Sequence, residues 1–103
     1  MIVNVTARHF KLWPELHEAV VDAANKFTKF YDGITRTDIV LSEENGKFVE
    51  FTIHVEGHVF HGEDSAADFD KSIHHASDKI VAQLRKLKEK IKNHHAKDIS
   101  EFL

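Results

Sequence analysis

The chain has 103 residues, enough for one domain around a modest core. Hydrophobic residues make up 42% and charged residues 30%, the balance of a folded soluble domain, and no apolar run approaches the roughly 20 residues that cross a bilayer. The absence of cysteine excludes disulfides, thiolate metal sites and cysteine nucleophiles; the opening residues lack the regions of a signal peptide, so a cytoplasmic protein with no membrane partner is expected.

Residues 2–7 have strand composition with partial alternation. Pro14 suits the first turn of a helix, and Leu16, Val20, Ala23, Phe27, Phe30 and Ile34 recur at steps of four and three, predicting an amphipathic helix over about 14–31. Gly33 is placed to end it. A second strand is expected over 36–42, followed by Asn45-Gly46, a dipeptide that favours tight hairpins. From Phe51 the third strand alternates, with Phe51, Ile53 and Val55 on one side and Thr52, His54 and Glu56 on the other. Gly57 turns the chain into a short fourth strand, 58–63. Ser65 to Asp68 then reads as a capping box opening a long helix over about 66–95, with Phe69, Ile73, Ala76, Ile80, Leu84, Leu87 and Ile91 as its apolar stripe. The expected fold is α+β in the order β-α-β-β-β-α, an antiparallel meander sheet with two helices packed on one face. Residues 1–95 form the domain in this reading, and 96–103 a short tail.

The net charge of −3 hides an asymmetry. Residues 1–78 hold seven Lys/Arg against fourteen Asp/Glu, a net of −7, whereas residues 79–97 hold seven Lys/Arg against one Glu, a net of +6. A basic segment on an acidic body points to a polyanionic partner; lysines that merely solvate an exposed helix are the simpler account of the count alone. At about 100° per residue, Lys79, Lys86 and Lys90 fall within roughly 20° of one line, with Gln83 among them, and flank the apolar stripe. Arg85, Lys88 and Lys92 project on the far side. Lys26 and Lys29 lie near the end of the first helix, so side-by-side packing would join them to the Lys79 row in a patch suited to a phosphate backbone.

Nine histidines raise a metal hypothesis. His74-His75 and His94-His95 diverge on a helix, and His58 and His61 face opposite sides of a strand. His54 and His58 are the pair expected to approach across a hairpin, which supplies only two ligands. No phosphate-binding glycine loop, serine elbow or HExxH occurs, and Glu50, Glu56, Asp64 and Asp68 form no defined acid/base pair; no enzyme and no cofactor are expected. Phe10, Trp13 and Tyr31 are the aromatic residues expected at the surface.

Several stretches together resemble the short ribosome hibernation-promoting factors and the ribosome-associated translation inhibitors of the protein Y family. They are Asn4-Val5-Thr6, Pro14-Glu15-Leu16, the Lys26–Phe30 segment, Ile39–Ser42, Phe51–Val55 and, most specifically, Asp78 to Lys90. The resemblance spans about residues 2–94. It implies a fold similar to double-stranded-RNA-binding domains and a protein that binds small-subunit rRNA near the A and P sites, silencing idle ribosomes under stress. It implies Lys26, Lys29, Lys79, Lys86 and Lys90 as contacts; Gln83, Arg85, Lys88 and Lys92 complete the expected RNA-binding set. A ribosome-dimerising helper is a candidate further partner; pairing ribosomes with such a helper and blocking single ribosomes are both open in this reading. The chain departs from the family at Ala82, Asp70 and Trp13, which stand where a basic residue, a tyrosine and a threonine are usual. Two other readings compete: a module for other structured RNA, and a histidine-rich metal-binding protein.

Overall fold

In a computed structural model, the backbone is described for residues 1–101 and the side chains through Lys90. The elements are β1 (Ile2–Arg8), α1 (Pro14–Phe30), β2 (Ile34–Glu43), β3 (Lys47–Val55), β4 (His58–Ala66) and α2 (Phe69–Glu101). The expected order and the α+β class stand, and α2 continues past the expected end at 95. The expected stripe residue Ile91, the expected contact Lys92 and the side chains of the expected tail lie outside the described residues.

The sheet order is β1-β2-β3-β4. It is mixed, not the antiparallel meander expected: β1 pairs parallel with β2, Val5 opposite Ile39, while β2–β3 and β3–β4 are antiparallel. The cause is the connection. A helix between two neighbouring strands returns the chain to the end where the first strand began, so the second runs in the same direction. The two-residue turn Glu56-Gly57, both at positive φ (48° and 81°), closes the β3–β4 hairpin, the geometry that matches strand twist.

One face of the sheet is covered. Ile39, Leu41, Val49, Phe51, Ile53 and Val55 are buried against Leu16, Val20, Ala24 and Phe27 of α1 and Ala76, Ile80 and Leu84 of α2. Both apolar stripes therefore point inward as their spacing predicts. The helices lie side by side and run in the same direction, α1 over β1 and β2, α2 over β3 and β4. Gly62 on β4 is buried beneath α2; a Cβ there would stand 2.7 Å from the Ala76 carbonyl oxygen and 3.0 Å from Ile80 Cγ1. That missing side chain lets the helix backbone rest on the strand.

Two helix ends differ from expectation: α1 closes on Tyr31, in extended conformation with its N–H bonded to the Phe27 carbonyl, rather than on Gly33, and α2 opens at a different cap. Ser65 and Ala66 pair with Phe48 and Lys47 as the end of β4, so no capping box forms. Asp68 is the cap instead: its Oδ1 accepts the Lys71 backbone N–H at 2.8 Å. The Ser72 hydroxyl, buried, bonds the Lys47 carbonyl and ties the start of α2 to β3. Tyr31, expected at the surface, is 7% exposed and packs with the core. Its hydroxyl donates to Glu56 Oε2 at 2.8 Å; burial first, then the Glu56 carboxylate, push its pKa above the ordinary value. Trp13 is 43% exposed and sits edge-on to Phe10 and Phe69 at the N-terminal ends of the helices.

Candidate nucleic-acid interface

The row Lys79, Gln83, Lys86 and Lys90 lies on the flank of α2 that overhangs β4. Lys79 Nζ donates to the Glu63 carbonyl at 2.6 Å, and Gln83 Nε2 to the His61 carbonyl at 2.6 Å. Lys86 and Lys90 are exposed, and neither has an ion-pair or hydrogen-bond partner among the described residues. With Gln83 and Leu87 they border an open hollow of about 210 Å³ whose strand side is His58 and Phe60.

The opposite flank of α2 faces α1. There Ile73, Ser77 and Val81 meet Ala19, Ala23, Lys26 and Phe27 across a groove of about 490 Å³. Asp22, Asp70 and Asp78 also line this groove, so Lys26 stands among carboxylates. Farther along, Lys88 Nζ lies 4.7 Å from the Phe30 ring centroid and donates at 2.8 Å to the Phe30 carbonyl, while the Arg85 guanidinium is 5.8 Å from the same ring. Phe30 is the last residue of α1, so Lys88 caps that helix from the neighbouring one, where a cation also complements the helix dipole.

The expected five-lysine patch is thereby rearranged. Lys26 lines the groove with Asp78 and Val81, and Phe30 at the end of α1 meets Arg85 and Lys88, because α1 packs against the flank of α2 that carries Val81 and not against the Lys79 row. The cations form a band over α2 and the end of α1, with Lys79, Lys86 and Lys90 beside β4 and Arg85 and Lys88 beside Phe30 of α1. Within the band, Lys79, Gln83 and Lys88 already bond backbone carbonyls, whereas Lys26, Lys29, Lys86 and Lys90 have no such partner among the described residues. Helical arithmetic separates the two flanks but does not say which one meets α1; that follows from the strand order.

Three of the histidines, His54, His58 and His61, lie on the sheet. His54 lies on the uncovered face, its Nε2 3.6 Å from Asp38, and His61 bonds Thr52 at 3.0 Å. His58 points to the other side, stacked on Phe60 with centroids 5.8 Å apart and planes 19° from parallel. The expected approach of His54 to His58 therefore does not occur: with Val55 opposite His58, a two-residue turn puts them on opposite faces. Asp38 is pushed up by partial burial, but bonds from Asn4 at 2.9 Å and Arg36 at 3.0 Å, with the Arg36 and His54 charges, outweigh that and hold its pKa below the usual value.

The profile of the Sigma 54 modulation protein / S30EA ribosomal protein family matches residues 3–92. The chain belongs to this family. Two relatives, each named ribosome hibernation promoting factor, from Klebsiella oxytoca and Escherichia coli K12, are each 30% identical over 95 residues, covering 91% of this chain and all of theirs. The fold is shared with the N-terminal domain of Thermus thermophilus protein Y (TM-score 0.77, 19% identity, 84% of this chain and 99% of that one). It is shared equally with a ribosomal subunit interface protein from Coxiella burnetii (TM-score 0.79, 20% identity, 86% and 99%). The family resemblance read from Asp78 to Lys90 and the earlier segments is borne out. Family membership also matches the described part of α2, since the profile runs through the basic half of that helix.

Proposed function

We propose that the protein is a non-enzymatic, ribosome-associated hibernation factor that works in the cytoplasm. It binds small-subunit rRNA near the A and P sites and silences idle ribosomes under stress. The observation that carries this reading is membership of the S30EA family together with full-length coverage of relatives named hibernation promoting factors. The cation band supplies the chemistry. Exposed lysines on two packed helices present point charges at fixed spacing, and the release of counterions from the phosphates makes such binding strong at low salt and weak at high salt. Lys86, Lys90, Lys26 and Lys29 are the primary phosphate contacts in this account. Lys79, Arg85 and Lys88 add charge while holding the fold, Gln83 lies among them, and Lys92 continues the set. A ribosome-dimerising helper is a second partner in the same reading.

Sedimentation with ribosomes tests it. The expected result is recovery of the protein with small subunits at low salt, release at high salt, and inhibition of translation in the same preparation. Binding to naked structured RNA without subunit binding would replace this reading with a general RNA module.

A further inference from the structure

The hollow beside Lys86 and Lys90 has a feature that phosphate binding leaves unused. Its strand side is aromatic: His58 and Phe60 stand at alternate positions of β4, on one side of the strand, with rings nearly parallel. His58 is exposed, while Phe60 is partly buried against the core and held in place. Leu87 closes the helix side, and the two lysines, one helical turn apart, stand at the rim. Gln83 directs its amide N–H groups to the His61 and Lys79 carbonyls, which leaves its Oε1 as an acceptor without a partner among the described residues.

We infer that this hollow seats one unpaired nucleobase of the bound RNA, stacked on the His58–Phe60 pair, with Lys86 and Lys90 on its flanking phosphates. The inference rests on the RNA-binding reading above and deepens it. Three properties select a nucleotide. A flat aromatic surface beside cations matches a base joined to phosphates, and stacking of this kind tolerates any base. The volume of about 210 Å³ falls below the roughly 300–1,000 Å³ of sites that enclose a whole small molecule and suits a single planar ring. An apolar peptide side chain would use the floor but leave both lysines unmatched.

The test uses the full chain, purified small subunits and the variants His58→Ala, His58→Tyr and Lys86→Ala, with thermal unfolding confirming that each is folded. His58→Ala is expected to weaken binding by about 5- to 50-fold, within the range alanine substitution gives for one stacked base. It should do so without changing the slope of log K against log[salt], since no phosphate contact is lost; Lys86→Ala should make that slope shallower. His58→Tyr keeps a ring and should bind within about twofold of the parent. Chemical probing should show one unpaired base protected by the parent and by His58→Tyr, and reactive with His58→Ala. If the parent does not bind subunits at all, the RNA reading and this inference fall together. If the parent binds and His58→Ala equals it, or His58→Tyr is as weak as His58→Ala, the base site alone is overturned.

Discussion

Gly62 lies where α2 presses on β4, and replacing it with alanine tests how closely the two elements must approach. The added methyl would meet the Ala76 carbonyl oxygen at 2.7 Å and Ile80 Cγ1 and Cδ1 at 3.0 and 3.2 Å. A carbonyl engaged in a helix cannot rotate away, so α2 must shift outward. Overpacking of this kind costs about 1–3 kcal/mol. Alanine also lowers the entropy of the unfolded chain, which offsets about 0.4–1 kcal/mol. The net expectation is a loss of about 1–2 kcal/mol, which for a domain near this size lowers Tm by about 4–15 °C. The shift would also lengthen the Lys79–Glu63 and Gln83–His61 bonds, so binding to small subunits should weaken alongside stability. Urea and thermal unfolding of Gly62→Ala measure the first effect. Stability within about 0.5 kcal/mol of the parent, the ordinary scatter of surface substitutions, would refute the argument that backbone contact sets the helix position.

Replacing Lys86 and Lys90 together by alanine should flatten the salt slope of small-subunit binding by about 1.4–1.8 units, from about 0.7–0.9 per phosphate contact. Lys11→Ala with Lys71→Ala changes net charge equally and should leave the slope in place; equal effects would refute the assignment. Asp68→Ala should cost about 1 kcal/mol of stability through loss of the helix cap, while Ser65→Ala should cost less than about 0.5 kcal/mol; the reverse order in urea unfolding would restore the capping box. Tyr31 is the sole tyrosine, so phenolate absorbance reads one group. Its folded pKa lies above the unfolded value of about 10, so its share of stability is present up to that pH and is lost as pH rises further. A midpoint at or below 10 in the native protein would contradict the burial and the Glu56 bond.

What the sequence made legible was periodic. The stripes of α1 and α2, the alternation from Phe51 and the hairpin glycines each depend on neighbours within a few residues, and the structure has them where the spacing put them. The misses share another character. Strand direction in β1–β2 depends on the path of the intervening helix, which no strand pattern encodes. β4 continues past its expected end at 63 through Asp64, Ser65 and Ala66, which look like a loop but pair with Val49, Phe48 and Lys47 at the sheet's edge, where one side of the strand meets no further strand. Tyr31, expected at the surface, is instead buried with the core, and Glu56 satisfies its hydroxyl. Helical spacing put Lys79, Lys86 and Lys90 on one flank of α2, where the structure has them, yet their neighbours depended on which flank met α1. His58 and Phe60 stand at alternate positions of β4, and only the placement of α2 over β4 brings Lys86 and Lys90 beside them.

The bonds from α2 to β4 have a consequence for solubility. β4 is an outer strand of the sheet, and the carbonyls of His61 and Glu63, two residues apart on it, accept from Gln83 and Lys79. A strand edge with unpaired backbone groups is a template for another chain, and here the long side chains of a neighbouring helix occupy its acceptors and set a positive charge against any strand that would add there. The basic row thus protects the sheet from self-association before it meets any partner. Loss of Lys79 or Gln83 would leave a strand acceptor open and is expected to lower the protein's resistance to aggregation.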